Sequence, residues 1–180
     1  MKKIVPQAFC KTRVRNVESD DPNPYEWREL TTDEIFDGKK VVLFAVPGAF
    51  TPACSEVHLP GYESKYDAFR DLGVDTVICL AVNDAFVMFQ WAKSQDISNV
   101  FMLPDGNGEF SRKMGMLVDR SSQGMGMRSW RYSIYVDNGE IKQSFIEPDF
   151  QDNPPGVPVQ VSGAESMLSY LQGELDHSQE

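Results

Sequence analysis

The run Lys40-Val41-Val42-Leu43-Phe44-Ala45-Val46, continued by Pro47-Gly48-Ala49-Phe50-Thr51-Pro52-Ala53-Cys54-Ser55-Glu56, decides the fold. Its first half is near-continuously apolar, the pattern of a central strand buried on both faces. Thr51 is a suitable N-cap, and Pro52 is preorganised for the first helical position. The chain therefore passes from a buried strand directly into a helix. Open α/β sheets place ligands at the carboxyl ends of their strands, and Cys54 falls there, in the first helical turn. Free backbone N–H groups and the positive end of the helix dipole favour a thiolate over a thiol at such a position. The competing reading of Cys54 is a small buried hydrophobe.

Working outward, the same grammar repeats. Upstream, Asn16 to Pro24 is acidic and turn-rich and reads as an exposed loop, joining strands near Lys11 to Arg15 and Trp27 to Leu30. Thr31-Thr32-Asp33-Glu34 is a capping box for a short helix ended by Gly38. Downstream, Tyr62, Tyr66, Phe69 and Leu72 keep helical spacing, and Gly73 stops that helix. Val74 to Val82 reads as a second buried strand, Asp84 caps a helix carrying Phe86, Val87, Phe89 and Trp91, and Val100 to Leu103 is a third strand. Pro104 to Gly108 is a turn before a short helix. Trp130 to Val136, Asp137-Asn138-Gly139 and Glu140 to Ile146 form a hairpin, since Asn-Gly tolerates the positive φ angles of a tight turn. Ser162-Gly163-Ala164-Glu165 reads as a capping box opening a last helix, with a frayed tail from Asp176.

Strands alternating with helices give an α/β class. The early strand–helix–strand units imply parallel pairing, and the late hairpin adds antiparallel strands. A mixed central sheet with helices on both faces follows, of which a thioredoxin-like fold is one example. A chain of 180 residues supports one hydrophobic core, so residues 1–180 are expected to form a single domain.

Composition narrows the chemistry. Lys+Arg 17 against Asp+Glu 27 leaves a net charge of -10, which argues against nucleic acid or an anionic membrane surface as a partner. Cys10, Cys54 and Cys79 stand too far apart for a structural zinc site and are too few for a secreted disulfide framework. No metal and no cofactor are expected. Pro6, Gln7 and Lys11 interrupt the apolar start before a signal h-region can form, and the apolar runs are strand-length. A cytoplasmic location is expected.

Pro47, Thr51 and Cys54 reproduce the Pro-x-x-x-Thr-x-x-Cys signature of the peroxiredoxins. The longer Pro-Gly-Ala-Phe-Thr-Pro-x-Cys-Ser match is similar to the peroxiredoxin-5 subfamily. So are Val82-Asn83-Asp84-x-Phe86-Val87-Met88, the stretch Leu103 to Phe110, and Arg128-Ser129-Trp130-Arg131-Tyr132-Ser133. The resemblance spans nearly the whole chain. Ala53, where relatives often carry Thr, and the long acidic loop Asn16 to Pro24 depart from it.

The resemblance implies a thiol-dependent peroxidase acting on hydrogen peroxide and small organic hydroperoxides through a sulfenic acid. Cys54 would be the peroxidatic nucleophile, Thr51 would orient the hydroperoxide, Pro47 would shield the site from water, and Arg131 would hold the thiolate and polarise the peroxide. Strand alternation puts Arg131 on one face with Ser133 and Tyr135, away from Trp130, Tyr132 and Ile134. Arg128 is the rival arginine, with a surface salt bridge as its expected role. His58 shares the face of Cys54 on a regular helix; a Cys–His pair is one reading, and a surface or interface position is the default.

A sulfenic acid needs a second thiol to return. Cys79 is the internal candidate for resolution, set against an inert core thiol on a buried strand, because a bridge needs Cα atoms within about 7 Å. Cys10 is expected to be non-catalytic. Some relatives continue into a glutaredoxin domain, whereas this chain has no Cys-x-x-Cys. Its electrons are expected from an external thiol, glutathione with or without glutaredoxin, then thioredoxin. A homodimer is expected, with Phe50, Phe86 and Met125-Gly126-Met127 either at its interface or in the core. The alternative function is a peroxide sensor or relay that passes oxidation to a partner protein.

Overall fold

The computed structural model describes residues 3–177. The chain opens with a two-stranded antiparallel hairpin, β1 (Phe9–Arg15) and β2 (Tyr25–Thr31). Its loop is the acidic, turn-rich segment read from the sequence. A short helix, α1 (Thr32–Phe36), follows at once. The Thr31 hydroxyl accepts from Glu34 N–H while the Glu34 side chain accepts from Thr31 N–H, which is the predicted capping box. Gly38 then turns with φ +67.

The core sheet begins with β3 (Lys40–Val46), whose residues from Val41 onward are all buried. The chain then coils through α2 (Leu59–Ser64) and α3 (Tyr66–Asp71) and returns as β4 (Thr76–Ala81). Next come α4 (Ala85–Ser94), β5 (Phe101–Pro104) and α5 (Glu109–Lys113), then a small hairpin, β6 (Leu117–Asp119) and β7 (Met127–Ser129). The final units are β8 (Tyr132–Asp137), β9 (Glu140–Ile146) and α6 (Ala164–His177). The five-stranded sheet has the order β5-β4-β3-β8-β9, with β3 parallel to β4, β4 parallel to β5, and the β8–β9 hairpin antiparallel beside β3. At the hairpin turn Asn138 and Gly139 both take positive φ, as the Asn-Gly signal requires.

Strand alternation divides the core in two. Val41, Leu43, Ala45, Ile78, Leu80, Ile134 and Val136 face Phe36, Phe110 and the first hairpin. Val42, Phe44, Val46, Val77, Cys79 and Ala81 face Leu59, Tyr62, Phe69, Trp91 and Met167. The result is the mixed sheet with helices on both faces.

Several local expectations are corrected. The helix beyond Pro60 breaks at Lys65 into α2 and α3. Phe86 and Phe89 on α4 are exposed, while Ala85, Met88 and Trp91 are its buried residues. Ser162 is not part of a capping box, since its hydroxyl donates to Glu147 Oε1 at 2.8 Å and Glu165 pairs with Lys65. The β6–β7 hairpin was not read from the sequence, because its three-residue strands carry little periodicity. The expected frayed tail is helical as far as His177, and Ser178 to Glu180 lie outside the described residues.

Candidate active site

The segment between β3 and α2 is built around Cys54. Pro47 and Gly48 are buried where β3 ends, and Phe50 stands exposed with φ 63. Two side chains from the β4–α4 region hold this segment: Asn83 Oδ1 accepts from Ala49 N–H at 2.9 Å, and Trp91 Nε1 donates to Ser55 Oγ at 3.0 Å. Thr51 precedes the helix as expected, but its hydroxyl donates to Gly48 O at 2.7 Å. With its proton committed to that carbonyl, the hydroxyl offers lone pairs to any further partner.

From Cys54 to His58 the helix widens into a single π-turn, closed by Leu59 N–H donating to Cys54 O. Pro60 explains the widening. It has no N–H for the carbonyl of Glu56, and its ring presses on that carbonyl in a regular α-helix. Single π-turns inside helices recur at functional sites.

Cys54 and His58 converge on one guanidinium. Arg131 Nη2 donates to Cys54 Sγ at 3.2 Å, Nη1 meets His58 Nδ1 at 3.0 Å, and Nε donates to Val157 O at 2.8 Å. A guanidinium has no acceptor, so His58 Nδ1 is the acceptor and its proton sits on Nε2. That nitrogen donates to Ser162 O at 3.0 Å, which also accepts from Tyr62 Oη at 2.8 Å. All three nitrogens of Arg131 are therefore fixed, and the residue is 2% exposed. Buried charges need an opposite charge nearby, and no carboxyl group of the described residues bonds this arginine. Among the atoms it donates to, only the sulfur can carry a negative charge.

His58 is held neutral. Burial first, then the Arg131 charge, push its pKa down to about 3, against the weaker upward pull of the Ser162 carbonyl. Phe44 and Tyr62 flank the ring, with Phe44 stacked on Tyr62 at 4.1 Å and tilted toward His58 at 4.8 Å. A depressed histidine pKa removes stability at low pH. The unfolded chain takes up a proton below about 6.5 that the native state refuses until about 3. The expected result is that this contribution is intact above pH 6.5 and is lost progressively as pH falls toward 3. Denaturant melts of the parent and His58→Gln across that window check it, since the variant should lack that component of the slope.

A layer further out holds the carbonyls in place. Glu147 is buried directly after β9, and its Oε1 accepts from the N–H groups of Gln160, Val161 and Ser162 and from Ser162 Oγ, at 2.8–2.9 Å. This carboxyl group gathers the 157–162 segment whose carbonyls orient Arg131, His58 and Tyr62. Glu147 N–H also donates to Arg131 O at 3.1 Å.

The sequence of the chain matches the Redoxin family model over residues 19–168. It is 59% identical to a peroxiredoxin of Synechocystis sp., over 94% of this chain and 89% of that one. The chain is a peroxiredoxin. Among solved structures it is similar to the antioxidant protein of Plasmodium falciparum, a 1-Cys peroxiredoxin, with TM-score 0.87 and 36% identity over 94% of this chain and 98% of the other. It is also similar to peroxiredoxin 5 of Alvinella pompejana, with TM-score 0.74 and 32% identity over 94% and 96% of the two chains. The fold is thioredoxin-like, and the sequence signatures place this peroxiredoxin with the peroxiredoxin-5 type. It is a thiol peroxidase.

The peroxiredoxin brings Cys54 and Arg131 together as the signature implies, with Thr51 and Pro47 on the same connecting segment. His58 is 1% exposed, so the surface position expected by default is wrong; it joins the sulfur through Arg131. Arg128 forms no salt bridge among the described residues. Its Nε donates to Met125 O, and its Nη1 lies 3.0 Å from where a Cβ on Gly48 would stand, so any side chain at Gly48 must displace it. Cys79 is a reduced thiol at the centre of β4, fully buried in the same core layer as Cys54, and burial pushes its pKa well above the usual range. Cys10 is buried in the opposite layer and pushed up to about 12. Phe50, Phe86 and Met127 are about half exposed, so they do not serve as core. Sequence reading passed over Arg120 and Glu147. Nothing in the spacing of Glu147 marks it, since it acts on a segment 13–15 residues further along, while the bonds of Arg120 stay within its own turn, to Gln123, Met125 and Gly126.

Proposed function

We propose that this peroxiredoxin reduces hydrogen peroxide and small organic hydroperoxides at Cys54 through a sulfenic acid, and that an external thiol returns it. The observation that carries the reading is the Arg131–Cys54 contact, in which a fully anchored guanidinium with no carboxyl partner among the described residues donates to the sulfur at 3.2 Å. The sulfur attacks the nearer peroxide oxygen, the O–O bond breaks, and charge grows on the leaving oxygen. Fixed donors aimed at that charge favour the transition state over the ground state. Thr51, its proton committed to Gly48 O, accepts the hydrogen of the bound hydroperoxide and so aligns its O–O bond. Pro47 closes the buried side of the site against water. Loss of water or alcohol leaves Cys54 as the sulfenic acid.

The burial of Cys79 and its raised pKa support reduction by glutathione, with or without glutaredoxin, ahead of an internal disulfide, with thioredoxin the next candidate. The exposed Phe50, Phe86 and Met127 support a homodimer that covers them.

The test is peroxide consumption with glutathione and glutaredoxin. Cys54→Ser is expected to abolish it. A serine variant that turns over at the parent rate would overturn the reading. Oxidation of Cys54 without turnover in the parent would favour a relay that hands oxidation to another protein. Mass spectrometry after one equivalent of peroxide distinguishes a glutathione adduct on Cys54 from a Cys54–Cys79 bridge.

A further inference from the structure

We propose that Arg128, backed by Arg120, docks a carboxylate of the small thiol that reduces oxidised Cys54. The inference deepens the function proposed above and rests on its external thiol.

Arg120 and Arg128 lie on the β6–β7 hairpin that leads into Arg131. The hairpin is drawn tight by Arg120 N–H on Gly126 O and Met125 N–H on Arg120 O. Each guanidinium is tethered only at Nε, Arg120 to Gln123 Oε1 at 2.8 Å and Arg128 to Met125 O at 2.9 Å. Their terminal nitrogens have no protein acceptor among the described residues. Arg128 reaches the Cys54 segment at Gly48, beside Thr51. Burial and the neighbouring charges of Arg131 and Arg128 lower the pKa of Arg120, and the charge of Cys54 opposes this, which agrees with one shared cluster.

The absence of counter-charges is the informative part. Asp and Glu outnumber Lys and Arg by 27 to 17. Five ion pairs form among the described residues, and none involves Arg120, Arg128 or Arg131. Arg131 on the sulfur, Arg128 over the Gly48 loop and Arg120 within reach of their charges thus form a cationic cluster in an acidic protein, and no carboxylate of the described residues pairs with any of the three. Such an arrangement is unfavourable unless an anion completes it.

Redox state decides which anion. The thiolate that attacks the peroxide offsets one of the three charges, and the incoming hydroperoxide is neutral. Oxidation to the sulfenic acid removes that negative charge and leaves the cations in place. The oxidised form therefore attracts an anion, and the molecule that meets it is the reductant. Cys54–SOH and R–SH form Cys54–S–S–R and water; a second R–SH then releases R–S–S–R and restores Cys54–SH. A carboxylate on R places its sulfur near Cys54 in the first of these steps.

The test oxidises the purified protein with one equivalent of hydrogen peroxide. It then follows adduct formation with glutathione (anionic), 2-mercaptoethanol (neutral) and cysteamine (cationic) by quenched-flow mass spectrometry. With thiolate fractions matched, the parent is expected to react at least about tenfold faster with glutathione than with 2-mercaptoethanol, and slowest with cysteamine. Added salt should shrink that advantage. Arg128→Gln should remove most of it, and Arg120→Gln/Arg128→Gln all of it, while the 2-mercaptoethanol rate and the peroxide step stay within about tenfold of the parent. An advantage that survives in the double variant overturns the proposal. So does a uniform loss across all three thiols and peroxide, which marks a structural role. If peroxide fails to oxidise Cys54 at all, the peroxidase reading falls first and this one with it.

Discussion

Arg131→Ala is expected to slow the reaction of Cys54 with hydrogen peroxide by about 10²–10³-fold, the usual effect of removing one fixed donor from a developing charge. The loss follows from the contacts. Arg131 is the guanidinium bonded to the sulfur, and each of its other nitrogens already has its own acceptor. Lysine is a poor substitute, since a single ammonium cannot reproduce a fork that spans Val157 O, His58 Nδ1 and Cys54 Sγ together. Arg128→Ala serves as the control. Its guanidinium is tethered to Met125 O at the Gly48 loop, and the peroxide step should change by less than about tenfold. Stopped-flow oxidation of the reduced proteins measures both. Equal losses in the two variants would remove the special place of Arg131.

Glu147→Ala is expected to have the largest effect on stability. One carboxyl oxygen serves three backbone N–H groups and the Ser162 hydroxyl. Deleting it orphans four donors at once, and each buried donor without a partner costs about 1–3 kcal/mol. Since Gln160 and Val161 reach solvent, a total loss of about 3 kcal/mol or more is expected in denaturant unfolding. Glu147→Gln keeps an acceptor of the same shape, so the fold should survive. The peroxide step should still slow in that variant, because the 157–162 segment then holds Arg131 and His58 less firmly. An unchanged rate in Glu147→Gln, with a folded Glu147→Ala protein as active as the parent, would show that the segment does not position the site.

The sheet was legible in the sequence because its signals are local. The apolar run of β3, the Thr31–Glu34 box and the Asn138-Gly139 turn each specify their own geometry within a few residues. The place of Cys54 at a helix start was legible for the same reason, being announced by the strand end, Thr51 and Pro52, while its role rested on the Pro47–Thr51–Cys54 signature. The misreadings share the opposite cause. His58 looked like a surface or interface residue, whereas the π-turn imposed by Pro60 keeps it buried against Arg131. Ser162 carried a correct capping pattern, but Glu147 competes for its hydroxyl from fifteen residues away. Glu147 makes its decisive contacts through tertiary packing, which periodicity does not encode, and Arg120 sits in a short turn that carries no periodicity.

The distances along the chain have one more consequence. Cys54 and Arg131 are 77 residues apart, and His58 and Ser162 are 104 apart. During synthesis, residues 40–60 leave the ribosome long before the 157–162 segment exists. A partial chain therefore carries the cysteine without the carbonyls that aim its arginine. Only assembly of the last third of the molecule brings the guanidinium to the sulfur, so a half-made chain carries Cys54 without its donor.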